Sequence, residues 1–569
     1  MKRIIAISMT CVIAIGLCGV PAAQAQTNIL GTLWGTASPV MSAANINAKL
    51  DQWLQDRLKT GNPGERVDVI VQTKLPAAVE AQLIAWSAKL NQKYKNFSFI
   101  AIKLPLGFIR MLAAQPFITK ISHDGPVMVF SAVDGVEAAN SSSGALDAFQ
   151  RFGATGSGVG VAVIDSGIAP HPDLNNVVYN VDFTTSDPAV RTDPFGHGTH
   201  VAGILAGSGQ SSNGMYAGVA PGVRLVNLRV LDANGGGYTR DVIAAIDWAI
   251  ANKNMPGNDG QSMNIRVLNL SLGHLPQEGA ETDPLSVACR RAVQAGFVVV
   301  ASAGNSGRDA SGTTVYGAIT SPGIEPSVLT VGAMSTFGTP SRSDDRIGPY
   351  SSRGPTIDGI VKPDIVAPGS RIAAAMSAGN MLVTAHPTLK IDNNYMRMTG
   401  TSMAAPAVSG AVALLLSKAP NLTPNAVKGI LMYTAEDRGS PLDYGVGYVN
   451  IPGALDVATS INPAAPVGQV WLNNPNLPYS DLINGFPAVW GQNIGWADKV
   501  YASNAVRYND PTWALGVVWG KTNPSQIIAL KTTVSAQSLV VSGLTIVWDE
   551  LAALTIVWDE ALTIVWDEF

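Results

Sequence analysis

Hydrophobic and polar positions along the chain fall into four regimes. Residues 4–20 are an apolar run directly behind Lys2 and Arg3. From Val67 to Ser122 the pattern changes repeatedly between the two-residue spacing of strands and the wider spacing of helices. Val67–Thr73, Phe97–Leu104 and Phe117–Ser122 read as strands; Pro76–Tyr94, with Val79, Leu83, Trp86 and Leu90 on one stripe, and Leu106–Ala114 read as helices. This β-α-β-α-β order over residues 65–125 predicts a small α+β unit of ferredoxin-like type.

The Ser-rich stretch Asn140–Gly144 breaks that pattern, and a third regime follows. Largely apolar segments at Val159–Ile164, Arg224–Val230, Val267–Leu270, Phe297–Ala301 and Val328–Val331 read as buried strands. Between them Thr239–Ala251 and Asp283–Ala295 read as helices. Continuous apolar strands separated by helices predict an α/β fold, a parallel sheet covered by helices on both faces. In such sheets function collects outside the carboxyl ends of the strands. The body closes near Ala458, and Ile461–Val467 is a proline-bearing linker. The last regime holds eight of the 12 tryptophans and three copies of LTIVWDE, starting at Leu544, Leu554 and Leu562. Copies ten and eight residues apart are too short for a solenoid repeat, so each reads as a strand ended by an acidic pair. The tail is therefore expected to be β-rich, with surface retention or carbohydrate stacking by its tryptophans left open.

Composition changes this picture in three places. Charged residues make up 14% of the 569 residues and the net charge is −4, which gives no electrostatic footprint for nucleic acid. The apolar run at 4–20 is shorter than the about 20 residues of a spanning helix, and Ala23-Gln24-Ala25 supplies a small-residue cleavage site. Residues 1–25 thus read as a signal peptide, with an uncleaved anchor as the alternative; bulky Leu17 before Cys18 argues against a lipoprotein. Cys11 and Cys18 leave with that peptide, so Cys289 is expected as a lone, buried thiol.

Four short stretches carry candidate chemistry. Val161–Gly167 (VAVIDSG) ends a buried strand on Asp165, a rigid place for a carboxylate that orients a histidine; the plainer reading is a turn former or helix cap. Gly196–Gly203 (GHGTHVAG) puts His197 at a helix start between small residues, and imidazole is the natural base near neutral pH. His200, three residues on, reads as structural, and the HExxH zinc pattern is absent. Gly400–Pro406 (GTSMAAP) puts Ser402 at the start of an apolar helix, where its backbone N–H is free for an oxyanion, although serine is also a favoured cap. Ala301–Gly307 (ASAGNSG) offers Asn305 as an amide donor, or as a turn asparagine. Such a donor contributes about 3–4 kcal/mol in the transition state.

Together these stretches outweigh the plainer readings, because their order along the chain, Asp then His then Ser, is that of subtilisin-like proteases. VAVIDSGI, GHGTHVAGI, ASAGNSG and GTSMAAP resemble the signatures of the subtilase family of serine proteases, and the resemblance covers about residues 145–455. It implies that Asp165 orients, His197 is base then acid, Ser402 is the nucleophile, and Asn305 with the Ser402 N–H forms the oxyanion hole. It also implies that Asn269–Gly273 is a strand pairing with the substrate backbone, with Gly235, Gly236 and Gly237 opposite it across the cleft. Ser271, Leu272, Gly273, Ala303 and Gly304, with Thr320 at the base, would line the first side-chain pocket. No acidic residue marks that pocket, so medium apolar side chains are expected there; loops around Asn380–Met396 would modify selectivity.

Residues 65–125 resemble the family's inhibitory propeptide, a folding template and inhibitor released by a cut expected between about Ser131 and Ser143. The resulting division is signal peptide 1–25, propeptide 26–140, catalytic domain 141–458, and linker with Trp-rich extension 459–569. No cofactor is required for the chemistry. Asp173 matches a position that binds calcium in some relatives, whereas the loop Gly207–Tyr216 departs from their pattern, so structural calcium stays open. The expected product is a secreted, extracellular endopeptidase acting on proteins or peptides, with a periplasmic or surface-retained location also open and no stable membrane insertion after signal cleavage. A maturation protease with one narrow substrate and an inactive surface-binding module are the competing readings.

Overall fold

The computed structural model describes residues 42–502, apart from 75, 77–78, 80–82, 84–88, 130–141, 185–190, 340, 462–476 and 497–498. The signal peptide, the Asn140–Ser141 boundary, the 131–141 part of the cleavage window, the linker and the LTIVWDE copies lie outside these residues.

The amino-terminal unit is a four-stranded antiparallel sheet of β1 (Arg66–Thr73), β2 (Lys89–Lys93), β3 (Phe99–Pro105) and β4 (Ile118–His123), in the order β2-β3-β1-β4. Alternation along β1 and β3 gives the sheet two apolar faces. Val69, Val71, Ile100 and Ile102 face Leu54, Leu106, Ile109 and Leu112 in a core of the unit's own. Ile70, Phe99 and Ala101 face the opposite way, onto the helices of the body. The sequence reading differs at one element: the helix expected to run to Tyr94 gives way to strand β2 from Lys89. Val79 and Leu83 are helical and buried as expected, but Leu90 lies in the edge strand and is exposed. The unit is thus β-α-β-β-α-β, the full ferredoxin-like order.

A short strand, β5 (Pro126–Met128), leads away from this unit to β9 (Gly236–Tyr238) of the body. The body is built on an eight-stranded sheet in the order β13-β12-β11-β10-β6-β8-β7, with β14 also paired to β12. Its strands are β6 (Gly160–Asp165), β7 (Val177–Asp182), β8 (Arg224–Arg229), β10 (Ile265–Leu270), β11 (Val298–Ser302), β12 (Leu329–Ser335), β13 (Arg346–Ile347) and β14 (Ile365–Pro368). All pairings are parallel except β12 with β13. One face of the sheet packs α1 (His197–Ala206) and α4 (Thr401–Lys418). The other packs α2 (Thr239–Ala251) and α3 (Pro284–Gln294), where Cys289 is free and buried. Burial raises its thiol well above the ordinary range, so it packs as a small hydrophobe.

The central helix α4 is apolar all round, because Thr401–Leu416 is buried throughout. It is the one helix among the described residues long and apolar enough to cross a membrane, and 89% of it is inside the protein. Strand β6 has β8 on one side and β10 on the other. Connections leaving this point run in opposite directions, which opens a crevice at its carboxyl end.

The core does not stop at Ala458. Ile461, Trp490 and Ile494 belong to it, and a hairpin of Ser480–Ile483 and Phe486–Val489 lies against helix Ile451–Thr459. The expected domain boundary at 458/459 therefore cuts through a shared core.

Candidate active site

Asp165 is the last residue of β6, and its carbonyl oxygen accepts the Val230 N–H at 2.8 Å. Its carboxylate Oδ1 lies 2.7 Å from His197 Nδ1, and both side chains are wholly buried. The same oxygen accepts the Ser166 N–H at 2.7 Å. A carboxylate held this way fixes the imidazole so that Nε2 faces away from it. His197 opens α1 where that helix touches the end of β6. A Cβ on Gly198 would come within 2.2 Å of the Gly167 carbonyl oxygen, so only glycine allows this approach.

Asp193 binds these two segments together, a residue the sequence reading did not single out. Its Oδ1 accepts from Ser166 Oγ and the Gly196 N–H, and its Oδ2 accepts from the N–H and Oγ1 of Thr199. Ser166 Oγ in turn accepts the Gly198 N–H at 2.9 Å. Burial raises the Asp193 carboxyl, and these donors oppose the shift. A signal was present in the sequence, an Asp three residues before the helix-opening Gly196, where a carboxylate can take the free N–H groups of a first turn. His200 is structural as expected. Its Nε2 lies 3.0 Å from the Ile372 carbonyl, and burial, with His197 nearby, pulls it down to about 3.

Ser402 is the second residue of α4 and is buried. Pro406, four residues on, has no N–H to bond the Ser402 carbonyl, and Ser271 Oγ supplies that bond instead at 3.0 Å. The Ser402 hydroxyl is donated to the Ser271 carbonyl oxygen at 2.9 Å. His197 Nε2 has no partner among the described residues. The Asp165–His197 contact is thus formed, while the Ser402 hydroxyl rests on Ser271, just past β10.

Asn305 follows β11. Its Oδ1 accepts from the N–H and Oγ1 of Thr401, at 3.0 and 2.9 Å. These two donors fix which end of the amide is which, leaving the buried Nδ2 without a partner. A buried, unused donor on a residue tied to Thr401, the neighbour of Ser402, is the kind of group an oxyanion requires.

The predicted cleft residues are placed as follows. Gly273 pairs by reciprocal backbone hydrogen bonds with Met128, at 3.1 and 3.2 Å. Gly236, Gly237 and Tyr238 pair with Met128, Val127 and Pro126, so the chain's own strand β5 lies between the two walls. Gly235, expected on the wall, is instead in the turn before it, with φ +77°, packed on the Phe195 ring. Leu272 is buried in one cluster with Val127. Ala303 packs with Ala280, Ile319 and Ile324, while a Cβ on Gly304 would strike Thr320 Cγ2 at 2.7 Å. Ala303, Gly304 and the buried Thr320 therefore adjoin one another beside Asn305.

The Asp173 carboxylate does not fit the calcium expectation. Its Oδ1 accepts the Ser211 N–H, and its Oδ2 takes the Tyr395 hydroxyl. No cluster of three acidic, His or Cys side chains suited to a metal exists among the described residues.

Comparison with known proteins points to one family. The sequence profile of the Subtilase family matches residues 156–448. Serine protease AprX of Bacillus subtilis is 39% identical over 306 residues, 53% of this chain and 67% of that protein. Subtilisin E of the same species is 33% identical over 373 residues, 64% of this chain and 83% of that protein. Among solved structures, fervidolysin from Fervidobacterium pennivorans, a keratinolytic enzyme related to subtilisin, superposes with a TM-score of 0.54 at 24% identity. That match covers 72% of this chain and 63%, less than two thirds, of the solved one, and it speaks to the fold alone.

Proposed function

This chain belongs to the subtilase family of serine proteases, and we propose that it is a secreted endopeptidase made as a self-processing precursor. In this reading Asp165 orients His197, and His197 takes the proton of the Ser402 hydroxyl as that oxygen adds to a peptide carbonyl. Asn305 Nδ2 and the Ser402 N–H hold the resulting oxyanion. Collapse expels the amine, protonated by His197, and water then releases the acyl group from Ser402. The Asp165–His197 contact, together with the unused Asn305 donor, is the observation that supports these roles.

The substrate is an extended protein chain added as a strand between Gly236–Tyr238 and Gly273. Residues 26–140 act as the propeptide, and β5 stands where substrate would lie. Ser271, Leu272, Gly273, Ala303, Gly304 and Thr320 form the first pocket, which takes apolar side chains. Residues 1–25 direct export.

A serine-reactive fluorophosphonate applied to the processed enzyme tests the roles directly. Labelling is expected at Ser402 and lost in Ser402→Ala; a processed wild-type enzyme that hydrolyses peptides without labelling there overturns them. Asn305→Ala should lower kcat by about 10²–10³-fold with little change in KM, the scale known for removing one oxyanion donor from a subtilisin. The intact mass of the exported product tests the signal and propeptide boundaries.

A further inference from the structure

We propose that Arg240, with the first turn of α2, is a substrate subsite for an acidic side chain remote from the bond to be cut, an assignment that rests on the endopeptidase reading above. The site is filled in this structure by a residue of the chain itself. Asp124 lies between β4 and β5, two places before Pro126, in a stretch without a turn. Its Oδ2 accepts from Arg240 Nη1 at 2.6 Å, and its Oδ1 accepts the Arg240 backbone N–H at 3.0 Å. The next carbonyl, that of Gly125, accepts the N–H and Oγ1 of Thr239 at 3.1 and 3.0 Å. The seated chain therefore stays bonded to the body beyond the β5–β9 ladder, and its outermost contacts go to four donors on Thr239 and Arg240.

These donors are of two kinds. Thr239 takes a backbone carbonyl, which every peptide carries, so it holds a strand without choosing among sequences. Arg240 takes a carboxylate, which only aspartate or glutamate supplies. Its guanidinium lies over the Tyr238 ring, 4.0 Å from the centroid, and Asp241 comes no nearer than 3.8 Å to its Nε. Tyr238 belongs to the body, so this platform remains when the amino-terminal unit leaves. The helix start adds to the preference. Arg240 is the second residue of α2, and Tyr238 before it gives no side-chain cap to the first-turn N–H groups.

The choice is made by charge. With the site filled, the Asp124 carboxylate is wholly buried and Arg240 is 19% exposed. A peptide with an amide or alkyl group at that place would cover the guanidinium and leave it unpaired, which costs more than a neutral contact returns. A basic side chain would be repelled outright. The subsite thus ranks acidic above neutral above basic. It lies four residues, or about 13 Å of extended chain, before the residue that pairs with Gly273, so it acts on binding and leaves the chemical step alone.

The test is the cleavage profile of the processed enzyme on a mixture of denatured proteins, with both new ends of each product identified by mass spectrometry. Aspartate should be favoured over asparagine by roughly tenfold at one position upstream of the cut, the scale of a hydrogen bond to a charged group. Two peptides differing only by Asp or Asn there should differ by the same factor in KM, with kcat nearly equal. Arg240→Gln should bring the ratio below about twofold, and Arg240→Glu should turn the preference toward lysine and arginine. A wild-type profile indifferent to charge upstream, or equal KM for the two peptides, overturns the subsite. An acidic preference that survives both substitutions overturns its assignment to Arg240. Either result leaves the endopeptidase reading standing, whereas a processed enzyme that cuts no protein overturns that reading and the subsite with it. Should the Arg240 variants fail to mature, the wild-type profile and the peptide pair decide the matter alone.

Discussion

Two regions are appended to the catalytic body, and they are attached by different physics. The amino-terminal sheet unit owns a core, with Val69, Val71, Ile100, Ile102, Leu54 and Leu112 buried among themselves. Its second face meets the body through Ile70, Phe99 and Ala101, rimmed by hydrogen bonds. The Asp247 carboxylate accepts the N–H groups of Lys95 and Asn96 at 2.7 and 2.6 Å, and Glu278 takes Ser122 Oγ and the Lys120 ammonium. The hairpin Ser480–Val489 has no such core; the Trp490 that follows it is buried in the body's own cluster, and its Nε1 donates to Asp481 at 2.7 Å. A unit with its own core can leave and remain folded, whereas a hairpin that borrows one cannot.

The largest expected effect is therefore at the hairpin. Trp490→Ala should lower the stability of the processed body by about 3–5 kcal/mol, read by chemical denaturation. A loss no greater than a surface substitution gives would break the comparison. At the other attachment, Asp247→Ala removes a charged acceptor from two backbone donors and should weaken binding of the released amino-terminal fragment by about 1.5–3 kcal/mol. The inhibition constant of that fragment measures it, and the thermal midpoint of the body should stay put.

A pH effect sharpens the contrast further. Burial pushes the Asp51 carboxyl up from 3.8 to about 7. The folded state then holds that proton more tightly than the unfolded chain, so the contribution is full below about 4 and is lost as pH rises through about 7. The neighbouring His123 runs the other way, pulled from 6.5 down to about 4 by burial, so its contribution is present above 6.5 and is lost as pH falls through about 4. Between about pH 4 and 6.5 the two contributions oppose each other, so melting of the Ser402→Ala chain should show the amino-terminal unit weakening only slightly from pH 5 toward 8, and Asp51→Asn should turn that into a rise up to about pH 6.5 while leaving the body's transition unmoved. The smallest effect belongs to Arg151, which pairs with Asp481 and Asp456 but is 41% exposed. Solvent screening leaves about 0.5–1 kcal/mol there, so Arg151→Ala should barely shift the midpoint.

What could be read beforehand follows the same division. The body's inner strands are largely apolar, and the site motifs are dense in glycine because backbone must approach backbone, as at Gly198. Both features are local and visible in a sequence. Strand β2 was not legible: KLNQK has an edge strand's polarity and carries Leu90 at helical spacing from Trp86, so the helix pattern ran through it. Asp193 was readable as a cap but not as a tie between segments, because Ser166, 27 residues away, joins Thr199 on it only after β6 and α1 pack. The hairpin carried a readable signal, the Asn484-Gly485 pair, where both residues adopt positive φ as a type I′ turn requires. That it shares the body's core was not readable, since burial of Trp490 depends on contacts with Tyr433 and Asp481.

The strand seated between Gly236 and Gly273 also has a kinetic meaning. While the chain is continuous, tethering presents β5 to the cleft at an effective concentration of about millimolar, whatever the protein's dilution. Once the tether is severed, the same contacts must hold at the bulk concentration. On the self-processing reading proposed above, onset of activity becomes a function of volume: enzyme crowded with its own fragments stays silenced, and enzyme that disperses wakes.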